Sequence, residues 1–396
     1  MLKGKCVVLG VTGSIAAYKI ASLASALVKL GADVNVIMTK NATNFINPIT
    51  FETLTSNKCL VDTFDRDFQF NVEHVALAKR ADIFMVAPAS ANVIGKMAHG
   101  IADDMLTTTI LAAKCKKLIS PAMNTNMFEN PIVQDNIETL RKYGFEIIEP
   151  ASGYLACGDT GAGKMPEPEV LLQYILKEMA HEHDLAGKKV LVTAGPTEEA
   201  IDPVRYITNH STGKMGYAIA KAAMERGADV TLVTGPVALE PPMFVDIVKI
   251  RSAAEMAEAV KAKAGECDII IKSAAVADYR PKTVASEKIK KKDSEDARIE
   301  LERTEDILSY LGAHKRKDQF ICGFSMETEN MLENSKKKLA KKNVDMIVAN
   351  NLKTQGAGFG TDTNVVTIIM SDETWQLPIM SKEEVANAIF DSILGK

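Results

Sequence analysis

Cys6-Val7-Val8-Leu9-Gly10-Val11-Thr12-Gly13-Ser14-Ile15 decides the fold. Residues 6–9 are a short apolar run that reads as a buried strand, and Gly10 to Ser14 form a glycine-bearing turn. Residues 15–30 carry the apolar spacing of an amphipathic helix, and Gly31-Ala32-Asp33 leads into a second strand over 34–38. Strand, turn, helix, strand is one half of a doubly wound α/β sheet. The device returns later: a strand over 189–193, the turn Gly195-Pro196-Thr197, a helix over 214–226, then Gly227-Ala228-Asp229 entering a strand over 230–233. The expected fold is therefore α/β with two doubly wound, Rossmann-like domains. The polar stretch His181-Glu182-His183-Asp184-Leu185-Ala186-Gly187 reads as a helix end and linker, which puts the boundary near Ala186 and the domains at 1–186 and 187–396.

Composition agrees with two domains, since 396 residues exceed one ordinary core. A formal net charge of −4 gives no global reason for a nucleic acid or an anionic membrane as partner. Cys6, Cys59, Cys115, Cys157, Cys267 and Cys322 are scattered with no CxxC pair, which argues against a disulfide framework or zinc site and fits a reducing cytoplasm. Lys3 and Lys5 precede an apolar stretch that could imitate a signal peptide. Gly10, Thr12, Gly13 and Ser14 soon break it, and no run approaches the ~18–20 apolar residues of a membrane span. A soluble, untargeted, cytoplasmic chain is expected.

Further strands over 82–86, 117–119, 268–272, 320–323 and 346–349 end in polar or Gly/Pro-bearing loops, where open α/β sheets bind ligands. No GxxxxGK[ST] is present, so a P-loop is excluded. A dinucleotide site would want an acid closing the second strand to hold a ribose. The first unit instead ends Met38-Thr39-Lys40-Asn41, and the second ends Val233-Thr234-Gly235-Pro236. Hydroxyls and turn N–H groups suit a lone phosphate better, which favours FMN over NAD in the first half.

Along nearly its whole length the chain resembles the bifunctional phosphopantothenoylcysteine decarboxylase/phosphopantothenate–cysteine ligases. In the first half the resemblance rests on Gly10 to Lys19, Val72-Glu73-His74-Val75, Ala87 to Asn92, Pro121-Ala122-Met123-Asn124 and Ala156-Cys157-Gly158-Asp159-Thr160-Gly161. In the second it rests on Ala194-Gly195-Pro196-Thr197, Ile201-Asp202-Pro203-Val204-Arg205, Asn209, Gly213-Lys214-Met215-Gly216, Ala274 to Arg280 and Glu287-Lys288-Ile289-Lys290-Lys291. Thr212, Lys164 and Ser325-Met326 depart from the family's usual residues at motif edges.

For the first half, a flavodoxin-like domain, the resemblance implies FMN-dependent decarboxylation of 4′-phosphopantothenoylcysteine to 4′-phosphopantetheine. The substrate carboxylate has no electron sink of its own, and FMN supplies one by reversible two-electron oxidation of the thiol carbon. His74 is then a general base or electrostatic partner of the substrate, in a segment expected to be loop or short helix. Without the match, a surface histidine would be the better reading. Asn124 is expected to hold the substrate's carboxylate or amide. Cys157, within a flexible, glycine-studded stretch over 153–163, is implied as proton donor to the enethiolate, on a flap covering the substrate. Gly13, Ser14, Thr39 and Ser90 are the expected FMN contacts, although Thr39 could simply terminate a strand.

For the second half it implies a nucleotide-binding ligase domain, in which the carboxylate of 4′-phosphopantothenate attacks the α-phosphate of CTP. Cysteine then displaces CMP from the acyl-cytidylate. A triphosphate needs cations, and lysine runs occur at 288–292 and 336–342. Such runs are more often solvated faces, but the match singles out Lys288, Lys338 and Lys342 as nucleotide ligands. It adds Ala274, Ala275, Asp278 and Phe324 on the nucleoside, with Asp278 also a candidate for its metal. Asn209 is the candidate for handling the acyl-cytidylate; Arg205 could bind an anion such as phosphopantothenate or merely brace the loop. Mg²⁺ is expected through the triphosphate and few protein carboxylates.

The family's decarboxylase sites lie at subunit interfaces of trimers and its ligase domains pair, so a homo-oligomer such as a dodecamer is implied, with small-molecule substrates as the other partners. Two other readings are a flavodoxin-type oxidoreductase, which lacks the acid for NAD, and a non-catalytic flavoprotein, which should have lost His74 or Cys157; both are present.

Overall fold

Buried on both faces, Cys6–Val11 forms β1 in the interior of a parallel sheet, as expected of a strand covered by helices on each side. In the computed structural model, residues 1–64, 73–154, 158, 160–290, 298–327, 331–351, 358 and 360–396 are described. They form two compact units, Met1–His181 and Glu182–Lys396.

The first unit adds β2 (Asp33–Met38), β3 (Ile83–Ala89), β4 (Lys116–Pro121) and β5 (Glu146–Ile147) to β1. Their order is β2-β1-β3-β4-β5 with every pairing parallel, the flavodoxin-like arrangement. Alternation divides the strands between two cores. Val7, Leu9, Val36 and Met85 face one, and Val8, Ile37, Phe84 and Val86 face the other.

One local expectation gives way here. The helix expected over 15–30 begins as a 3₁₀ segment, Ile15–Lys19, before the α-helix Ile20–Lys29. The Ser14 hydroxyl accepts from the Ala16 N–H at 3.4 Å and tightens that first turn. Of the stretch expected to be loose over 153–163, the described ends pair as an antiparallel ribbon, Ala151–Tyr154 against Thr160–Lys164. Its glycines serve close approach. Met123 N–H donates to the Gly163 carbonyl at 3.1 Å, and Gly163 has φ +118° with no room for a Cβ beside the Met123 carbonyl.

The second unit contributes β6 (Lys189–Ala194), β7 (Asp229–Thr234), β8 (Asp246–Lys249), β9 (Ile269–Lys272), β10 (Phe320–Glu327), β11 (Met346–Asn351), β12 (Val366–Ile369) and β13 (Thr374–Gln376). The order is β8-β7-β6-β9-β10-β11-β12-β13. The first six are parallel in the 3-2-1-4-5-6 order of the Rossmann fold, and β12 and β13 extend the edge antiparallel. The polar stretch read as linker is docked on this unit. Leu185 is fully buried, and the buried Arg226 guanidinium donates to both Asp184 carboxylate oxygens at 2.8 and 2.6 Å.

Candidate active sites

Four loops leave the carboxyl edge of the first sheet and carry its candidate residues. After β1, Thr12 is fully buried; its hydroxyl donates to the Pro88 carbonyl at 2.6 Å and accepts from the Ser90 N–H at 2.9 Å. These two bonds clamp the β1 turn to the end of β3, across the point where the strand order reverses. Gly13 follows, packed against Asn41. Thr39 is buried at the end of β2, where its hydroxyl accepts from the Ala42 N–H at 3.3 Å. Ser90 is half-buried at the N-cap of the helix Ala91–Ala98, and its hydroxyl makes no capping bond. Asn124, after β4, heads the short helix Thr125–Phe128 and accepts from the Asn126 N–H at 2.9 Å.

Ser14 and Asn124 line one cleft of about 540 Å³ with Lys19, Tyr154, Lys164 and Glu167. Gly13, Thr39 and Ser90 share the sheet edge without lining that cleft, and His74, half-buried on the helix Glu73–Arg80, is not among its walls either. Cys157 lies outside the described residues. The donor set fits a phosphate-bearing cofactor: hydroxyls and helix N–H groups, with no carboxylate among the candidates.

The second unit opens a cleft of about 470 Å³ at its own switch point, between β6 and β9. Gly213 turns the chain with φ +77° and starts the helix Lys214–Glu225 at the rim. The loop after β9 is pinned to the first strand by hydroxyls. Thr193 accepts from the Ala274 N–H at 3.1 Å, and Thr197 accepts from the Ala277 N–H at 3.0 Å. Asn209 reaches across and donates its amide to the Ala275 carbonyl at 2.9 Å. Asn209, Ala274, Ala275, Asp278, Phe324 and Lys338 all face this cleft. Lys338 donates to the Phe324 carbonyl at 3.2 Å.

Three candidates stand elsewhere. Lys342, one turn beyond Lys338, pairs with Asp306 and donates to Ser309 at 2.7 Å. Lys288 is exposed and does not line the cleft. Arg205 donates through Nε to buried Asp202 at 3.0 Å and through Nη2 to the Ile289 carbonyl at 3.0 Å. That guanidinium holds the Asp202 carboxyl well below the usual carboxylate range, and the Ile289 N–H adds a bond at 3.1 Å. Arg205 therefore ties the 202–205 turn to the segment carrying Lys288.

Lys214, Lys272 and Lys382 also line the cleft; the sequence marks Lys214 only as part of the Gly213-Lys214-Met215-Gly216 motif and singles out none of the three as a ligand. Lys214 donates to the Gly360 carbonyl at 2.9 Å and pairs with Asp362 at 2.7 Å, while buried Lys382 donates to the Gly358 carbonyl at 3.0 Å. Single lysines at a helix start or strand end carry no signal until the topology sets them side by side. Asp278 is the one carboxylate among the cleft's walls, and among the described residues no group of three acid, histidine or cysteine side chains could hold a metal. A divalent ion would here take most of its ligands from a bound triphosphate.

Comparison with known proteins matches each half of the chain to a different family. Residues 1–180 match the family described as Flavoprotein, and residues 185–395 match the DNA/pantothenate metabolism flavoprotein C-terminal domain. The Coenzyme A biosynthesis bifunctional protein CoaBC of Bacillus subtilis (strain 168) is 50% identical over 397 residues, covering 99% of this chain and 97% of that protein. The chain belongs to the CoaBC family. It is a bifunctional enzyme of coenzyme A biosynthesis, joining a flavoprotein decarboxylase to a phosphopantothenate–cysteine ligase. The CoaBC of Borreliella burgdorferi (strain ATCC 35210 / DSM 4680 / CIP 102532 / B31) is 43% identical over 390 residues, 98% of this chain and 99% of that one. A Cysteine/Cysteine sulfinic acid decarboxylase from an unknown prokaryotic organism is 47% identical over 356 residues, 88% of this chain and 99% of that one. Among the described residues, no helix is long and apolar enough to cross a membrane.

Proposed function

We propose that residues 187–396 condense 4′-phosphopantothenate with cysteine at the expense of CTP, and that residues 1–186 decarboxylate the product to 4′-phosphopantetheine with FMN. The observation that carries the ligase reading is the gathering of Asn209, Ala274, Ala275, Asp278, Phe324 and Lys338 around one cleft. In the first step a carboxylate oxygen of phosphopantothenate bonds to the α-phosphorus, and the bond to the leaving pyrophosphate breaks. Lys338 neutralises phosphate charge, joined by Lys288 and Lys342 once the latter leaves Asp306. Asp278 contributes to the Mg²⁺ that travels with the triphosphate. In the second step the cysteine amine bonds to the acyl carbon, loses a proton, and CMP leaves. Asn209 has one amide hydrogen committed to Ala275, and its other donates to the acyl oxygen as charge develops there. Arg205 serves the phosphopantothenate end by fixing the 202–205 turn.

In the decarboxylase half, Gly13, Ser14, Thr39 and Ser90 hold FMN at the sheet edge, and FMN supplies the reversible two-electron oxidation. Asn124 orients the substrate's carboxylate or amide, supported by its place with Ser14 in one cleft. His74 acts as base or electrostatic partner, and Cys157 returns a proton to the enethiolate carbon. Ile15, Tyr18 and Tyr154 stand 56, 59 and 73% exposed, which supports a subunit interface beside this cleft; that the homo-oligomer is trimer-based rests on the family resemblance. A cytoplasmic enzyme of small-molecule substrates fits this reading.

The purified protein is expected to be yellow, to release FMN rather than FAD or nicotinamide, and to evolve CO₂ from 4′-phosphopantothenoylcysteine. Free cysteine and cysteine sulfinate should be poor substrates. A chain that stays colourless after reconstitution with FMN would sink the cofactor assignment, and preference for free cysteine would move the first half to the chemistry named for its decarboxylase relative.

A further inference from the structure

Ile269-Ile270-Ile271-Lys272 alternates across the second sheet. Ile269 and Ile271 enter one core and Ile270 the other, so Lys272 follows Ile270 onto the face covered by the helices Ile307–Ala313 and Met331–Lys342. Its register partners are Gly323 on β10, which offers no side chain, and Thr193 on β6. Lys272 is half-buried yet lines the ligase cleft. Among the described residues its ammonium has no hydrogen-bond or ion-pair partner. The charged groups facing it are Lys338 and Lys342 from one helix, Asp306 from the cap of the other, and Asp278 from the loop after β9. Asp306 is already paired with Lys342, and Asp278 is the one carboxylate among the walls of the cleft that Lys272 and Lys338 both line. Two ammonium groups in one half-buried place repel each other, and an incoming polyanion relieves both.

We propose that Lys272 is an anion-binding residue of the ligase cleft, which with Lys338 seats the phosphates of the nucleoside triphosphate. This rests on the CTP-ligase reading. Burial, with Lys338 beside it, pushes the Lys272 ammonium down to about 8. A bound polyanion favours the charged form, so affinity is full below that pH and falls as pH rises through it.

Calorimetric titration of the full chain with CTP, pyrophosphate and cytidine, each with Mg²⁺, tests this. Lys272→Met should bind CTP and pyrophosphate about tenfold to hundredfold more weakly. Cytidine binding should be unchanged, and the thermal midpoint unchanged or higher because a repelled, half-buried charge is gone. Lys272→Arg should keep most of the affinity but lose the decline above pH 8, since arginine stays charged. CTP affinity within twofold of wild type in Lys272→Met overturns the inference, as does an equal loss for cytidine, which would put the ammonium on the base. Should Lys272→Met fail to fold, a Lys272→Arg chain that keeps the wild-type decline overturns it equally. Wild-type protein that binds no CTP defeats the ligase reading itself, whereas normal wild-type binding with an unaffected Lys272→Met defeats only the role of Lys272.

Discussion

Asn209→Asp should slow discharge of the acyl-cytidylate by cysteine roughly 100- to 1000-fold, the usual cost of losing one oxyanion donor. The structure adds a second effect. The Asn209 amide donates to the Ala275 carbonyl at 2.9 Å, and an aspartate would set a carboxylate oxygen against that carbonyl. Part of the loss would then come from a displaced loop. Asn209→Ala separates the two, because it removes the donor without adding charge. Both variants should still release pyrophosphate and accumulate acyl-cytidylate in a rapid-quench time course. Pyrophosphate release slowed as much as discharge would assign Asn209 to nucleotide binding or the first step.

Cys157→Ser should retain FMN, release about one equivalent of CO₂ per site, and then stop. General acid catalysis is typically worth about 10²- to 10⁴-fold, and a serine hydroxyl is a far weaker acid than a thiol. The flavin absorbance should stay bleached while an unsaturated thiol accumulates. Continued turnover to 4′-phosphopantetheine would exclude Cys157 as the proton donor. In the chain, Cys157 follows Ala151–Tyr154 and precedes Thr160–Lys164, the ribbon whose Gly163 is bonded to the Met123 N–H beside Asn124.

Much of this architecture is legible in the sequence because the parallel strands are short apolar runs closed by turn residues. Gly31-Ala32-Asp33 and Gly227-Ala228-Asp229 mark the same helix-to-strand turn in both units, and the aspartate of each opens a strand, β2 and β7. The antiparallel edge, β12 and β13, has no comparable signature, since strand direction is fixed by pairing rather than by local pattern. The pairing of Ala151–Tyr154 with Thr160–Lys164 was hidden by its glycines, of which Gly163 serves the close approach to Met123. Arg205 reads equally as an anion binder or a brace in the sequence, and its bond to buried Asp202 appears only in the fold. Lys272 was invisible for a different reason. A lysine closing a strand reads as a solvated end, and only the helix carrying Lys338 makes it a half-buried charge on a cleft floor.

The most direct measurement follows oxygen. 4′-Phosphopantothenate labelled with ¹⁸O in its carboxylate should be incubated with the FMN-loaded chain, cysteine, CTP and Mg²⁺, and the products weighed by mass spectrometry. Attack by that carboxylate on the α-phosphorus requires one ¹⁸O to leave in CMP and the other to stay in the amide carbonyl of 4′-phosphopantetheine, with unlabelled pyrophosphate and CO₂ as the other products. Label in inorganic phosphate together with CDP would instead show an acyl phosphate, and absence of 4′-phosphopantetheine from a reaction that consumes CTP would contradict the coupling of ligation to decarboxylation in this chain.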